Sequence, residues 1–451
     1  MNDTIAAIST ARGVGAISII RVSGKYSIKI VNKIFKGCDL EKQPTHTIHY
    51  GYIMDEETKI DEVLVSIMKS PRTYTKEDIV EINCHGGINT TNKVLEIVLN
   101  NGARLAEPGE FTKRAFLNGR LDLAQSEAVM DIINSVNNDE RLLALKQLEG
   151  KTAQKIKQFR NELNDLIANI EVNIDYPEYH DIEVMTNKKI ENIIASQIKE
   201  LKNIIKQSEE SQILKHGLKT LIIGRPNVGK SSILNNLLEY DKAIVTDIEG
   251  TTRDVVEGDV IIDGITLNII DTAGIRKTED VIEQIGVKKS ISLIDEADLV
   301  LVVLNGHEKL TEEDMKILDK TKNKTNIVII NKSDLAQNIE LELLKDRILI
   351  NTTTTKLDGL DILKNKISEL YNLDKIRTFD QTYLSNARQV SLAKSALKSL
   401  QQAEKSIKDD IPIDLIQLDI LEAFDKLGEI IGITYSDEVI DNLFKNFCVG
   451  K

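Results

Sequence analysis

Residues 224–231 read Gly-Arg-Pro-Asn-Val-Gly-Lys-Ser, directly behind the apolar run Leu221, Ile222, Ile223 and ahead of a helical pattern carrying Leu234, Leu237 and Leu238. A strand that turns through a glycine loop into a helix belongs to an α/β sheet, and this context separates a phosphate-binding loop from a chance match. Gly224 and Gly229 leave room for backbone N–H groups to converge on phosphate oxygens at the helix N-terminus. Lys230 supplies a point charge for the terminal phosphates, and Ser231 a hydroxyl for magnesium. The plain alternative, a glycine turn before a helix, explains little of so long a match.

Two further motifs follow in the order a GTPase needs. Asn331, Lys332, Ser333 and Asp334 come after the strand-like run 325–330. An ionised carboxylate only accepts hydrogen bonds, so Asp334 suits the N1–H and exocyclic amine edge of guanine, which adenine lacks. Asp271, Thr272, Ala273 and Gly274 end the apolar run 267–270; Asp271 is expected to hold magnesium through water, and the Gly274 N–H to sense the terminal phosphate. The next residue is Ile275, where Ras-like proteins carry a water-orienting glutamine. The attacking water therefore needs another activator. Glu283 lies in the switch that follows, although alone it reads more readily as a solvated helix-face carboxylate. Residues 243–254 (Ala-Ile-Val-Thr-Asp-Ile-Glu-Gly-Thr-Thr-Arg-Asp) supply oxygen ligands near the phosphates, with Thr252 as a second hydroxyl for magnesium.

A chain of 451 residues leaves room for about three domains of about 150 residues, each able to bury its own core. No run of eighteen apolar residues is present, and Met1, Asn2, Asp3, Thr4 lack the layout of a secretion signal, so a cytoplasmic protein without a membrane span is expected. Cys38, Cys84 and Cys448 are too few for a disulfide framework and have no zinc-site spacing. The net charge of −13 argues against RNA capture by phosphate neutralisation over the whole surface. A local basic patch at Lys151, Lys155, Lys157 and Arg160 is one candidate, its plain alternative being a solvated helix face.

Periodicity divides the chain. Residues 16–22, 62–68 and 78–84 are β-like and 92–99 helical, giving a small α+β N-terminal domain over residues 1–118. From Leu121, apolar residues recur at three and four (Val129, Ile132, Ile133, Val136; then Phe159, Leu163, Leu166, Ile170), and the pattern resumes after about residue 376 with Ile416, Ile420, Phe424, Leu427 and Ile431. Residues 119–214 and 376–451 thus form a discontinuous α-helical domain, expected to pack its two parts together around an inserted α/β P-loop (Ras-like) GTPase domain at 215–375. Within the insert, residues 260–262 and 266–270 flank Asp263 and Gly264, a tight-hairpin composition. The expected sheet is mostly parallel and doubly wound with one antiparallel edge.

The end of the chain, Cys448, Val449, Gly450, Lys451, allows three readings: a prenylation box, which a final lysine argues against, a buried structural thiol, or a functional thiol beside the Lys451 ammonium.

The phosphate loop through Ser232, the run Gly250, Thr251, Thr252, Arg253, Asp254, the Asp271 motif, residues 119–128 (Gly-Arg-Leu-Asp-Leu-Ala-Gln-Ser-Glu-Ala), Asn386, Ala387, Arg388 and the ending Phe447 to Lys451 together resemble the MnmE (TrmE) family of tRNA modification GTPases, over nearly the whole chain. The resemblance implies a homodimer formed through the N-terminal domain, with two GTPase domains facing each other, and a heterotetramer with the flavoprotein MnmG, which carries the FAD. The pair would add an aminomethyl-type group to C5 of the tRNA wobble uridine, using a tetrahydrofolate derivative (5-formyl or methylene form) as one-carbon source. tRNA would bind through that complex. Arg21, Glu81, Arg120 and Lys451 would contact the folate; Lys451 reaches such a site only if the chain end folds back over the first domain. Arg120 stands where some relatives carry lysine, which keeps the charge and changes the donor geometry.

The resemblance further implies GTP contacts from Asn227, Val228, Gly229, Lys230, Ser231 and Ser232, from Thr246, Asp247, Ile248, Glu249, Gly250, Thr251 and Thr252, from Asp271, Thr272, Ala273 and Gly274, and from Asn331, Lys332 and Asp334. Mg2+ would sit on Ser231 and Thr252. K+ would sit beside the phosphates on Asn227, the carbonyls of Thr246 and Ile248, and Thr251, in the role of an arginine finger. Glu283 would order the water, Arg276 would steady the switch, and Cys448 belongs to the modification step without an assigned role. In the fifth nucleotide motif, relatives read Ser-Ala where this chain has Thr353, Thr354 and Thr355. Two readings of another class stand beside this one: a regulatory or ribosome-assembly GTPase, and a self-assembling mechanical GTPase, neither of which modifies RNA or needs folate.

Overall fold

The computed structural model describes residues 3–175, 187–241, 259–262, 265–270, 293–353, 360–371, 383–435 and 437–451. The chain forms two compact units: Met1–Asn134, Ala144–Lys202 and Ala387–Lys451 make one, and Ser135–Leu143 with Asn203–Asn386 the other.

The first unit opens with a seven-stranded sheet: β1 (Ile5–Ile8), β2 (Ile17–Ser23), β3 (Phe35–Lys36), β4 (Thr47–Asp55), β5 (Thr58–Met68), β6 (Ile79–His85) and β7 (Arg104–Leu105), in the order β3-β4-β5-β6-β2-β1-β7. All pairs are antiparallel except β1 with β7. Alternation splits its faces. Ile20, Val22, Val63, Val65, Ile67, Val80 and Ile82 are buried with residues of helices α1 (Ser27–Ile34) and α2 (Ile88–Asn100) in one core. Burying such a side chain stabilises by about 1.5–3 kcal/mol. At alternate positions Ile17, Tyr50 and Leu64 point the other way and are exposed, as is Ile48, with Tyr50 and Leu64 cross-strand partners. The short helix α3 (Glu110–Leu117) follows.

Helices α4 (Leu123–Asn134), α5 (Asn138–Leu148), α6 (Lys151–Asp175) and α7 (Asn187–His216) precede the nucleotide block; the helices that follow it are Ala387–Lys408, Ile413–Ile431 and Asp437–Phe444. Ile413–Ile431 packs on both Ala387–Lys408 and α6, so the helical stretches on either side of the block form one body, as their apolar stripes require. Arg160 of α6 stacks over Phe424, 4.0 Å from its centroid, and donates to the Phe424 carbonyl at 3.2 Å.

In the second unit, β8 (Leu218–Ile223), β9 (Asp259–Ile262), β10 (Ile265–Ile270), β11 (Leu299–Asn305), β12 (Asn326–Asn331) and β13 (Ile348–Asn351) form a sheet of order β13-β12-β11-β8-β10-β9. It is parallel save for the β9 edge. β11 is buried on both faces: Leu299, Leu301 and Val303 join one core with Leu234 and Leu237 of α8 (Lys230–Asp241), while Val300, Val302 and Leu304 join another with Ile317 and Leu318 of α9 (Glu312–Lys320). That double burial makes strands of a parallel sheet read as continuous apolar runs. The two ends of the nucleotide block are tied: Leu384 N donates to Ser208 Oγ at 2.7 Å and Lys215 Nζ to the Ser385 carbonyl at 2.9 Å. Among the described residues no helix is long and apolar enough to cross a membrane.

Candidate nucleotide and cofactor sites

β8 is the strand from which the chain leaves in both directions, and the crevice beyond the carboxyl end of such a switch point is where open α/β sheets bind ligands. The phosphate loop occupies that place. Gly224, directly after β8, lies so close to β11 that an added Cβ would overlap the Val303 carbonyl. Asn227 (φ 61°) and Gly229 (φ 102°) are left-handed, the backbone that turns successive N–H groups into one concavity. Lys230 Nζ donates to the Arg225 carbonyl at 2.9 Å, so its ammonium lies across the loop, and Ser231 and Ser232 follow in the first turn of α8.

The base motif meets this loop directly. Asn331 ends β12 at 1% exposure and donates through Nδ2 to the Val228 carbonyl at 2.8 Å, leaving its Oδ1 buried without a hydrogen-bond partner. Lys332 is left-handed (φ 60°), and Asp334 accepts from Thr353 Oγ1 at 3.1 Å. Ser333 N to the Thr352 carbonyl (3.1 Å) and Thr352 N to the Ile330 carbonyl (2.9 Å) bring the start of the divergent fifth motif beside the base motif through backbone contacts that any side chain permits. Arg225, Glu308 and Asn305 escaped the sequence reading. Arg225 pairs with Glu308 at 2.5 Å and Asp314 at 3.0 Å, and Asn305 Nδ2 donates to Glu308 at 2.6 Å, fixing the loop to the end of β11. The hydrogen bond from Arg225 holds the Glu308 carboxyl below its ordinary value. Only the acid partners identify Arg225 as an anchor, and they stand far along the chain. Thr246, Asp247, Ile248, Glu249, Gly250, Thr251, Thr252, Asp271, Thr272, Ala273, Gly274, Arg276 and Glu283 lie outside the described residues, as do Thr354 and Thr355.

The four residues expected at a folate meet in the first unit. Arg21 on β2 and Glu81 on β6 are cross-strand partners and pair at 2.8 Å. The Arg21 guanidinium lies 5.5 Å from the Tyr74 centroid and 5.7 Å from that of Phe111, while Arg120 covers Tyr74 at 4.7 Å. The chain end does fold back. The Gly450 carbonyl accepts from Ser9 Oγ at 3.1 Å and Arg21 Nη1 at 3.4 Å, and the Cys448 carbonyl from Gly109 N at 3.2 Å. Burial, then the Arg21 charge, lowers the pKa of Lys451; Cys448 and Glu81 oppose this, which puts all three in its electrostatic reach. Tyr74, the ring at the centre, carried no sequence signal, since its role exists only through what packs on it.

The Cys448 thiol is exposed, which overturns the buried structural reading. Its neighbours Phe444 and Phe447 supply the packing, with centroids 4.8 Å apart. The basic run on α6 is not one patch: Lys155 pairs with Glu200 and Arg160 with Phe424, while Lys157 stays exposed.

Comparison with known proteins agrees across this architecture. A family model of the MnmE helical domain matches residues 123–448, and one of the GTP-binding protein TrmE N-terminus matches residues 4–120. Proteins named tRNA modification GTPase MnmE from Ligilactobacillus salivarius and Bacillus cytotoxicus are each 50% identical over 455 residues, covering 100% of this chain and 98% and 99% of their own. That of Bacillus licheniformis is 49% identical over 458 residues, with 100% of both chains covered. Among solved structures, the G domain of the T. maritima FeoB iron transporter is 26% identical over 34% of this chain and 98% of its own at a TM-score of 0.24.

Proposed function

The chain belongs to the MnmE family of tRNA modification GTPases, and from that premise we propose that it hydrolyses GTP with potassium stimulation and, with MnmG, adds an aminomethyl-type group to C5 of the tRNA wobble uridine from a tetrahydrofolate one-carbon unit. The observation that supports this most is that Arg21 and Arg120 both lie over Tyr74, Arg21 pairs with Glu81, and Arg21 and Glu81 act on the Lys451 ammonium. The chemistry fits a folate: a carboxylate accepts from pterin N–H donors, guanidinium and ammonium pair with glutamyl carboxylates, and the ring offers a flat apolar face. A GTPase that only regulated or only moved would need none of these.

In the GTP site, the N–H concavity of the phosphate loop and Lys230 hold the phosphates, and Asn331 and Asp334 take guanine, with the partnerless Asn331 Oδ1 as a ready acceptor. Ser231 and Thr252 would hold magnesium, and Asn227, Thr246, Ile248 and Thr251 potassium, cations that neutralise charge developing on the phosphates. Asn227, set at the left-handed turn of the phosphate loop, offers a side-chain carbonyl that fits this donor set. Glu283 would order the water and Arg276 steady the switch, in place of the glutamine that Ile275 displaces. The exposed apolar side chains Ile17, Ile48, Tyr50 and Leu64 on the open face of the N-terminal sheet support homodimer formation there. The ties at both ends of the nucleotide block support coupling of nucleotide state to the helices. With a net charge of −13, tRNA binds across the complex with MnmG rather than by this chain's overall field.

Replacing potassium by sodium in a steady-state assay is expected to lower GTP turnover sharply, and equal rates would remove the potassium site. Mass spectrometry of tRNA nucleosides from a deletion strain is expected to show the wobble-uridine group missing; its persistence would favour a regulatory GTPase.

A further inference from the structure

Residues 119–128 and Arg388 are used neither by the nucleotide site nor, apart from Arg120, by the Tyr74 cluster, yet the fold joins them. Arg388 grips Glu127 with two prongs (Nε to Oε1 and Nη2 to Oε2, both 2.8 Å), and donates to the carbonyls of Glu429 (3.1 Å) and Ile430 (3.2 Å) and to the Tyr435 hydroxyl. This pins the end of helix Ile413–Ile431 and the turn after it, where Gly432 is left-handed (φ 78°) and a Cβ would press on Leu123 and Phe116. Opposite, Asp122 and Gln125 cap α4 reciprocally (Gln125 N to Asp122 Oδ1 2.9 Å, Asp122 N to Gln125 Oε1 3.0 Å), and Gln125 Nε2 is held by the Leu148 carbonyl at 2.9 Å. Between these two braced walls lies a cleft of about 510 Å³, lined by Leu117, Arg120, Asp122, Lys157, Ile433 and Tyr435 among others. Its volume suits a small ligand. Leu117 and Ile433 leave 48% and 53% of their surface in solvent on its rim.

The charged groups that line the cleft are of both signs. Two cations, Arg120 and Lys157, accompany one carboxylate, Asp122. Uracil presents acceptor, donor, acceptor along its imide edge, whereas cytosine would set a ring acceptor against the carboxylate and an amine against a cation. Burial pushes the Asp122 carboxyl up, and the Gln125 N–H and the Lys157 charge work against it: a desolvated acceptor suited to an N–H. Arg120 also covers Tyr74, so the cleft adjoins the cofactor cluster through a shared side chain.

We propose that this cleft receives a uridine nucleotide of the RNA substrate, with Asp122 accepting the imide N3–H, Arg120 and Lys157 donating to the flanking carbonyls or the phosphate, and Leu117 and Ile433 against the ring. The inference rests on the tRNA modification reading and names where the acceptor base sits within it. The probe is an anticodon stem-loop RNA with 5-bromouridine or 5-bromocytidine at the wobble position, photocrosslinked to the full-length chain with MnmG and mapped by peptide mass spectrometry. Crosslinks are expected on peptides containing Leu117 and Ile433, stronger for bromouridine. Lys157→Ala and Lys157→Glu each lower the yield, the latter about tenfold. Asp122→Asn erases the preference for uridine while keeping the helix cap, which asparagine makes as well as aspartate. Silent cleft peptides, or equal yields and preference in all variants, overturn the inference. Calorimetric binding of 5-formyltetrahydrofolate to the same proteins separates the two claims: cleft crosslinks without folate binding sink the folate reading alone, and folate binding with a silent cleft sinks the cleft alone.

Discussion

In the proposed GTP site Asp334 takes the base, and its surroundings hold it in place. Thr353 Oγ1 holds one of its oxygens, while Asn331 in the same motif is locked to the phosphate loop through Val228. Asp334→Asn keeps a carbonyl for N1–H but sets an amide donor against the exocyclic amine, so GTP affinity is expected to fall at least about a hundredfold while xanthosine triphosphate, which carries a carbonyl in place of that amine, gains. Competition against a fluorescent GTP analogue measures both, and unchanged discrimination would remove Asp334 from the base site. At this scale the sequence was most readable where chemistry demands a residue type at a spacing, as at Lys230 and Asn331. It was silent on Tyr74 and Glu308, whose partners Arg21, Arg120 and Arg225 arrive from distant parts of the chain.

Among the elements, α3 shows how a fold hides from periodicity. Its inward face carries Glu110, Thr112 and Arg114 beside Phe111 and Ala115, so counting apolar residues misses it, whereas the apolar stripes of α6 or β11 declare themselves. Arg114, at 1% exposure, pairs with Asp3 (2.9 Å), Glu110 (3.0 Å) and Glu77 (3.2 Å), and Arg104 adds a second guanidinium to Glu110 at 2.6 Å. Removing one partner of a buried network strands the others, so Arg114→Met is expected to cost about 3–5 kcal/mol in urea unfolding of the first unit. A loss below about 1 kcal/mol would mean the network is incidental. The same cluster dictates a pH response. Burial pushes the Glu110 carboxyl up, but Arg104, the Glu107 N–H and Arg114 together hold it below its ordinary 4.5; Asp3 is likewise held below 3.8 by Arg104 and Arg114 against its own burial. Between the ordinary and the lowered values the unfolded chain binds more protons than the folded one, so stability falls as pH falls. The contribution is complete above about 4.5 and is lost progressively below it, through the lowered folded values, which urea midpoints taken across that window will record.

For the molecule as a whole, residues far apart in sequence complete one another. Gly450 is left-handed (φ 90°), and a Cβ there would strike the Ile8 carbonyl, so Gly450→Ala is expected to unseat the chain end from Ser9 and Arg21 and weaken 5-formyltetrahydrofolate binding about tenfold, leaving GTP turnover as it was. Undiminished folate affinity would show that the seat is not part of that site. Helices flanking an α/β insert were legible from the change of period at Leu121 and its return after residue 376. What periodicity could not express was the joining of N-terminal sheet and helices in one unit, because contacts such as Ser9 with Gly450 bridge the whole insert.

That discontinuity has a consequence for biosynthesis. Lys202 and Ala387 belong to one compact unit, so a nascent chain emerging from the ribosome cannot close that unit until residues 203–386 have been translated, about ten to forty seconds at about 5–20 residues per second. Over that interval the apolar stripe of α6, with Phe159, Leu163, Leu166 and Ile170, waits for the helix Ile413–Ile431 that will cover it, which marks the half-made polypeptide as a client for chaperones.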